Sequence, residues 1–133
     1  MTPAPGPDPR ALSGRAVDEI TLAAAARGDL SPADLRVHPD VLRHQAEVAE
    51  THGNPQLGDN LRRAAELTAL PDAEVLTIYE ALRPGRSTRD GLEAIASRLE
   101  AGSAPLCAAL LREAAEVYDR RGLLAVDQAP ECA

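Results

Sequence analysis

Prolines and glycines cut this chain into segments, and their order within each segment dictates what it can become. Pro39 opens a stretch that Gly53 closes. Pro55 opens the next, Pro71 starts another, and Gly102 ends the one after it. Pro105 and Gly122 bracket the last and longest. Proline suits the first helical turn, where its missing N–H would have no partner, and glycine suits the end, where the chain turns left-handed. Between these marks the apolar residues recur at helical spacing. No segment shows sustained alternation of apolar and polar residues, and no Val/Ile/Thr/aromatic run lies between turns.

The segments read as follows. "VDEITLAAAARGD" is a short helix stopped by Gly28. In "SPADL", Ser31 caps a turn, Pro32 takes its first position and Asp34 lies in the first turn. "HPDVLRHQAEVAETHG" carries Val41, Leu42, Gln45, Ala46, Val48 and Ala49 at helical spacing, with His38 ahead of Pro39. In "NPQLGDNLRRAAELTAL", Asn54 caps, and Leu57, Leu61, Ala64, Ala65 and Thr68 form a stripe. Gly58 lies on or beside that stripe. It costs about 1 kcal/mol of helix propensity, which close approach of a neighbouring helix would explain. "PDAEVLTIYEALR" places Asp72 and Glu74 in its first turn and offers Val75, Leu76, Ile78, Tyr79 and Leu82 as its apolar face. "STRDGLEAIASRLEAG" has Ser87 as the expected cap, with Leu92, Ile95, Ala96 and Leu99 as its stripe. The last helix, from Pro105, is apolar around much of its circumference, and Arg120 and Arg121 complement its C-terminal dipole. The expectation is an all-α fold: a single small domain of five or six helices over residues 17–124. A disordered leader over 1–16, with prolines at 3, 5, 7 and 9, precedes it, and a flexible tail over 125–133 follows.

Composition limits both core and chemistry. Phe, Trp and Lys are absent, and 26 of the 133 residues are alanine. The core must therefore be aliphatic and shallow, and no lysine is present to form a Schiff base. Formal net charge is −7, which argues against nucleic-acid binding. No apolar run approaches a membrane span, and the leader lacks the basic and apolar regions of a signal peptide. Cys107, in an apolar run, reads as a core or interface residue, and Cys132 as an exposed tail residue. Two cysteines are too few for a disulfide scaffold, and the expected compartment is the cytoplasm.

A search for reactive groups finds little. His44 and His52 are eight residues apart, outside the i, i+3 or i+4 spacing of helical metal pairs, although Glu47 follows His44 by three. Glu47 with Glu50, and Glu113 with Glu116, repeat the ExxE spacing of all-α Mg²⁺-dependent hydrolases. Arginines intersperse both pairs, which favours a solvated helix face. No nucleophile elbow, CxxC or glycine-rich phosphate loop occurs. No catalytic, cofactor-binding or metal-ligating residue is assigned.

The stretch "ALRPGRST", residues 81–88, is the exception. Arg83 suits the end of one helix, Pro84 and Gly85 turn the chain, and Ser87 with Thr88 precedes the next helix. All of this describes a rigid connector. The density of guanidinium groups, with Arg86 and Arg89, also fits an anion: a carboxylate from a partner protein, or a small ion at the helix start.

Several stretches, in order, resemble the small (gamma) subunit of coenzyme B12-dependent diol and glycerol dehydratases: "SGRAVDEITL" at 13–22, "GDLSPADLRV" at 28–37, "LRHQAEVAE" at 42–50, "NLRRAAELTALPDAEVLTIYEALRPGRST" at 60–88 and "APLCAALLREAAEVYDRRGLL" at 104–124. The resemblance implies a subunit of a hydro-lyase that turns 1,2-diols or glycerol into an aldehyde and water. Adenosylcobalamin would serve the holoenzyme and not be bound by this chain alone. The implied partners are large catalytic and medium subunits, assembled as a dimer of heterotrimers, with the small subunit helical and packed on the large one. Tyr79, Arg83 and Arg86 are then the first expected partner contacts, followed by Arg62, Arg63 and Tyr118. Some family members carry a longer N-terminal region that helps direct them into a bacterial microcompartment, which the short proline-rich leader here does not support. The family often has a hydroxyl residue before Pro39, where His38 would cap less well. Two other readings of the same residues are a free-standing helical adaptor and a small Mg²⁺-dependent hydrolase.

Overall fold

A computed structural model describes residues 5–126. Residues 1–4 and 127–133, and with them Cys132, lie outside the described residues. Among the described residues there are six α-helices, two 3₁₀ turns and no strand. The chain divides between Ala69 and Leu70 into two compact units. No helix among the described residues is long and apolar enough to cross a membrane.

The first unit holds 3₁₀ turns at Val17–Glu19 and Pro32–Leu35 and helices α1 (Leu22–Ala26), α2 (Pro39–Thr51) and α3 (Pro55–Leu67). The expected first helix is broken in two because Thr21 adopts extended backbone and caps α1, its Oγ1 accepting from Ala24 N. Two more caps match the sequence punctuation. His38 Nδ1 accepts from Asp40 N at 3.1 Å and Asn54 Oδ1 from Leu57 N at 3.2 Å. Gly53, at φ +80°, makes the turn that folds α3 back onto α2. The approach is close. A Cβ on Gly58 would sit 2.9 Å from Glu50 Cγ and 3.2 Å from the Ala46 carbonyl oxygen. Among the described residues of this unit the buried apolar side chains are Ala11, Ala24, Ala46, Ala49 and Ala65. Alanine lets backbones come near one another at the cost of apolar area, so polar ties carry more of this unit's definition.

Part of the expected leader is one of those ties. Residues 9–16, anticipated as extended and disordered, are held in place. Ala11 is buried and pairs with Val37, Leu12 N donates to Arg36 O, and Val17 N donates to Pro9 O. Gly6 lies so close to the His44 ring that a Cβ there would meet Cδ2 at 2.6 Å. Proline spacing registered the lack of helix but not the long-range pairing.

The second unit contains α4 (Asp72–Ala81), α5 (Arg89–Ala101) and α6 (Pro105–Arg121). α5 and α6 pack as a hairpin. Leu92, Ala96 and Leu99 from α5 and Cys107, Ala108, Leu111 and Ala115 from α6 are buried. The α5 cap is Thr88, whose Oγ1 accepts from Gly91 N, and not Ser87. Ser87 instead turns back, its hydroxyl donating to Ala81 O at 2.9 Å. The expected apolar face of α4 is also corrected. Ile78 is buried, but Leu76 is 68% and Tyr79 62% exposed. A helix apolar on nearly all sides does not reveal by periodicity which residues face the core.

Candidate partner interface

The exposed end of α4 and the connector to α5 form the most distinctive surface of the second unit. Tyr118 fixes its position: its hydroxyl donates to Leu82 O. Gly85 N donates to Leu123 O and Ala125 N to Ser87 O, each at 2.8 Å. Residues 82–88 are thus tied to the segment that follows α6, so Ala125 is held in place rather than loose as expected. On this support the side chains of Glu80, Arg83 and Arg86 point outward, each more than half exposed. Arg83 Nη1 lies 3.0 Å from Glu80 Oε2, and Arg86 Nε 3.3 Å from Glu80 Oε1. One carboxylate therefore serves two guanidinium groups. Leu76, Thr77, Glu80, Ala81 and Arg86 line an open hollow of about 540 Å³. Arg89, the first residue of α5, pairs with Asp119 at 2.7 Å.

The other residues expected at an interface have visible local roles. Arg62 forms a two-pronged ion pair with Glu50, joining α3 to α2; this holds the Glu50 carboxyl below its ordinary range and raises the Arg62 guanidinium. Arg63 donates to Asn60 on its own helix. Tyr118 spends its hydroxyl on Leu82. The structure thus brings Arg83 and Arg86 together through Glu80, leaves Tyr79 exposed on the same helix as Glu80, and gives Tyr118 a supporting role behind the corner, while Arg62 and Arg63 belong to the first unit.

The carboxylates and histidines weighed for chemistry are dispersed. His44 Nδ1 is 3.9 Å from Glu47, and Glu50 is engaged by Arg62. Among the described residues no three His, Cys, Asp or Glu side chains converge as metal ligands would.

Sequence reasoning missed the charged centre of the first unit. Asp34, expected only as a first-turn acid, is 4% exposed. Its Oδ1 accepts from Ser13 Oγ at 2.5 Å and Arg15 Nε at 3.1 Å, and its Oδ2 from Ser31 N at 2.7 Å and Ser31 Oγ at 3.1 Å. The Ser13 hydroxyl contributes most, then the Ser31 amide, and Arg15 adds charge; together they outweigh burial and lower the Asp34 pKa to about 2. Ser31 is three positions away, but Ser13 and Arg15 are 21 and 19 positions away, beyond any local pattern. Beside it, Val17, Ile20, Leu35, Val37 and Val41 line much of a second open hollow of about 310 Å³.

Taken together, these features define an all-helical chain whose polar groups largely serve its own packing and which leaves large apolar side chains exposed in both units, Leu76 and Tyr79 among them on the helix that leads into the arginine corner. That is the profile of a protein that associates. The chain belongs to the dehydratase small subunit family, whose sequence profile matches residues 9–125. It is 44% identical over 119 residues to the propanediol dehydratase small subunit of Citrobacter freundii, and 43% identical over the same length to that of Salmonella typhimurium strain LT2. Each match covers 89% of this chain and 69% of the relative. The match begins at Pro9, where the hydrogen-bonded N-terminal segment also begins.

Proposed function

We infer that this chain is the non-catalytic small subunit of a coenzyme B12-dependent diol or glycerol dehydratase, packing on the large subunit and stabilising it. The observation that carries the reading is the identity of 43–44% with propanediol dehydratase small subunits across most of the chain. The surface supports it. Leu76 and Tyr79 stand exposed on α4, Leu76 shares a hollow with Arg86, and arginine and tyrosine are enriched where proteins meet.

The reaction assigned to the whole enzyme removes water from a 1,2-diol or glycerol to give an aldehyde. Adenosylcobalamin would supply the radical chemistry, and the polypeptides would bind and orient. In this reading the cofactor is held by the holoenzyme and not by this chain alone. No step is assigned to the chain itself. Its partners are the large and medium subunits, in a dimer of heterotrimers, in the cytoplasm.

Reconstitution tests this. The large and medium subunits encoded in the same genome, supplied with adenosylcobalamin and 1,2-propanediol or glycerol, should produce aldehyde with this chain and lose activity or stability without it. Full, stable activity in its absence would contradict the reading and favour a free-standing adaptor.

A further inference from the structure

We propose that the Arg83–Arg86 corner receives a carboxylate from the partner subunit and that Glu80 occupies that place in the free chain. The proposal rests on the subunit reading above and adds the chemistry of the contact.

The first support is stoichiometry. Arg83 and Arg86 both pair with Glu80, and each uses one nitrogen to do so. A guanidinium carries five N–H donors in a planar fork that matches a carboxylate through two parallel bonds. Glu80 satisfies neither fork in that way. Elsewhere in the chain the two-pronged arrangement does occur, between Arg62 and Glu50, so the single-nitrogen contacts at the corner mark a fork not filled from within.

Charge is the second support. Two positive groups share one negative group on a chain whose formal net charge is −7. This local surplus of positive charge runs against the composition and complements an acidic surface.

The third is the surroundings. Leu76 and Tyr79 stand within one turn of Glu80, and the hollow beside Arg86 has Leu76 and Ala81 in its wall. A partner segment that sets an aliphatic side chain in this hollow would bring its own Asp or Glu to the arginines and exclude water from the pair. Exposed ion pairs such as those of Glu80 contribute little, whereas the same pairing out of water is stronger. Glu80 is therefore displaced readily. The occupant is an acidic residue beside an aliphatic anchor. A basic partner segment would meet two arginines before it met Glu80.

The distinguishing prediction concerns Glu80. If it competes with the partner's carboxylate, Glu80→Gln frees both forks and tightens association. The experiment measures dissociation of the tagged chain from the co-expressed three-subunit complex, at low and high salt. Arg83→Ala and Arg86→Ala should each speed release by about thirtyfold or more, as loss of a desolvated charge pair implies. Glu80→Gln should slow release a few-fold at low salt, the difference shrinking in high salt. All these side chains are exposed, so unchanged melting temperatures serve as the folding control. Faster release by Glu80→Gln, with the arginine variants unaffected, would overturn the proposal by making Glu80 the contact. Unaltered release for every variant from an intact complex would overturn it too, while leaving the subunit reading in place. Binding of inorganic phosphate by the isolated chain that needs both arginines, with assembly unaffected by their loss, would assign the corner to a small anion instead. Failure of the wild-type chain to enter any complex would remove the subunit reading and this proposal together.

Discussion

Tyr118 on α6 donates its hydroxyl hydrogen to the carbonyl of Leu82, the residue that ends α4, at 2.5 Å. α4 buries little beyond Ile78, so this bond and the backbone ties at Gly85 and Ala125 hold the connector where a large apolar contact does not. The corner that presents Arg83 and Arg86 inherits its position from them.

Replacing Tyr118 by Phe tests that relationship. The ring would still pack, but the Leu82 carbonyl would lose its partner. The expected cost is about 0.5–1.5 kcal/mol, visible as a fall of several degrees in melting temperature. Hydrogen exchange at Gly85 and Arg86 should quicken. Unchanged exchange at both amides would show that the bond does not hold the connector.

Gly58 offers a test of opposite helix-propensity logic. On an isolated helix Gly58→Ala would gain about 1 kcal/mol. Here the new methyl would lie 3.2 Å from the Ala46 carbonyl oxygen and 2.9 Å from Glu50 Cγ, which Arg62 holds in place. α2 and α3 would have to part, and overpacking of this kind costs about 1–3 kcal/mol. Denaturant titration should show a net loss for Ala and a larger one for Val. A stabilised Gly58→Ala variant would contradict the close approach.

Asp34 sets an acid limit on the first unit. Its pKa is lowered in the folded chain to about 2, from an ordinary value of 3.8. The unfolded chain therefore binds a proton first on acidification. The stabilisation is present above about pH 4 and is lost as pH falls from there toward 2. Thermal melts across that window should steepen in wild type and flatten in Asp34→Asn, which should also be less stable at neutral pH. Glu50 and Glu93, likewise held low by arginines, will leave some acid sensitivity behind. An Asp34→Asn variant with wild-type acid sensitivity would show that the carboxylate does not carry this charge-dependent stability.

Arg112 should matter less than its contacts suggest. It reaches Glu93 at 3.0 Å and Glu100 at 2.8 Å, bridging two turns of α5 from α6. All three groups are substantially solvent-exposed, and exposed pairs are screened by salt. Arg112→Gln should lower the melting temperature slightly at low ionic strength and not at 1 M salt. A large loss that persists at high salt would mean that the side chain acts by packing.

The legible parts of the fold were those written locally. Pro39 and Gly53 bracket α2 as expected, Asn54 and Pro55 start α3, and Gly122 ends α6 in left-handed backbone. Gly58 was conspicuous because a costly residue in a helix needs a reason. What stayed hidden depended on distant residues or on a choice between near equals. Asp34 needs Ser13 and Arg15, which a proline-rich segment appeared to release into solvent. Ser87 and Thr88 are adjacent hydroxyl residues, and only the backbone decides which one caps. Leu76 and Ile78 are equally apolar, yet one is exposed and the other buried. At the candidate site, the arginines of "ALRPGRST" were visible from the start, whereas their common partner Glu80 became visible only in three dimensions.

The most direct measurement is the mass and composition of the complex that a tagged copy of this chain draws from cells co-expressing the large and medium dehydratase subunits of the same genome. Light scattering on the eluted material should give one species containing all three chains in equal numbers. Elution of the tagged chain as a folded monomer, with the other two subunits assembled without it, would contradict its assignment as their subunit.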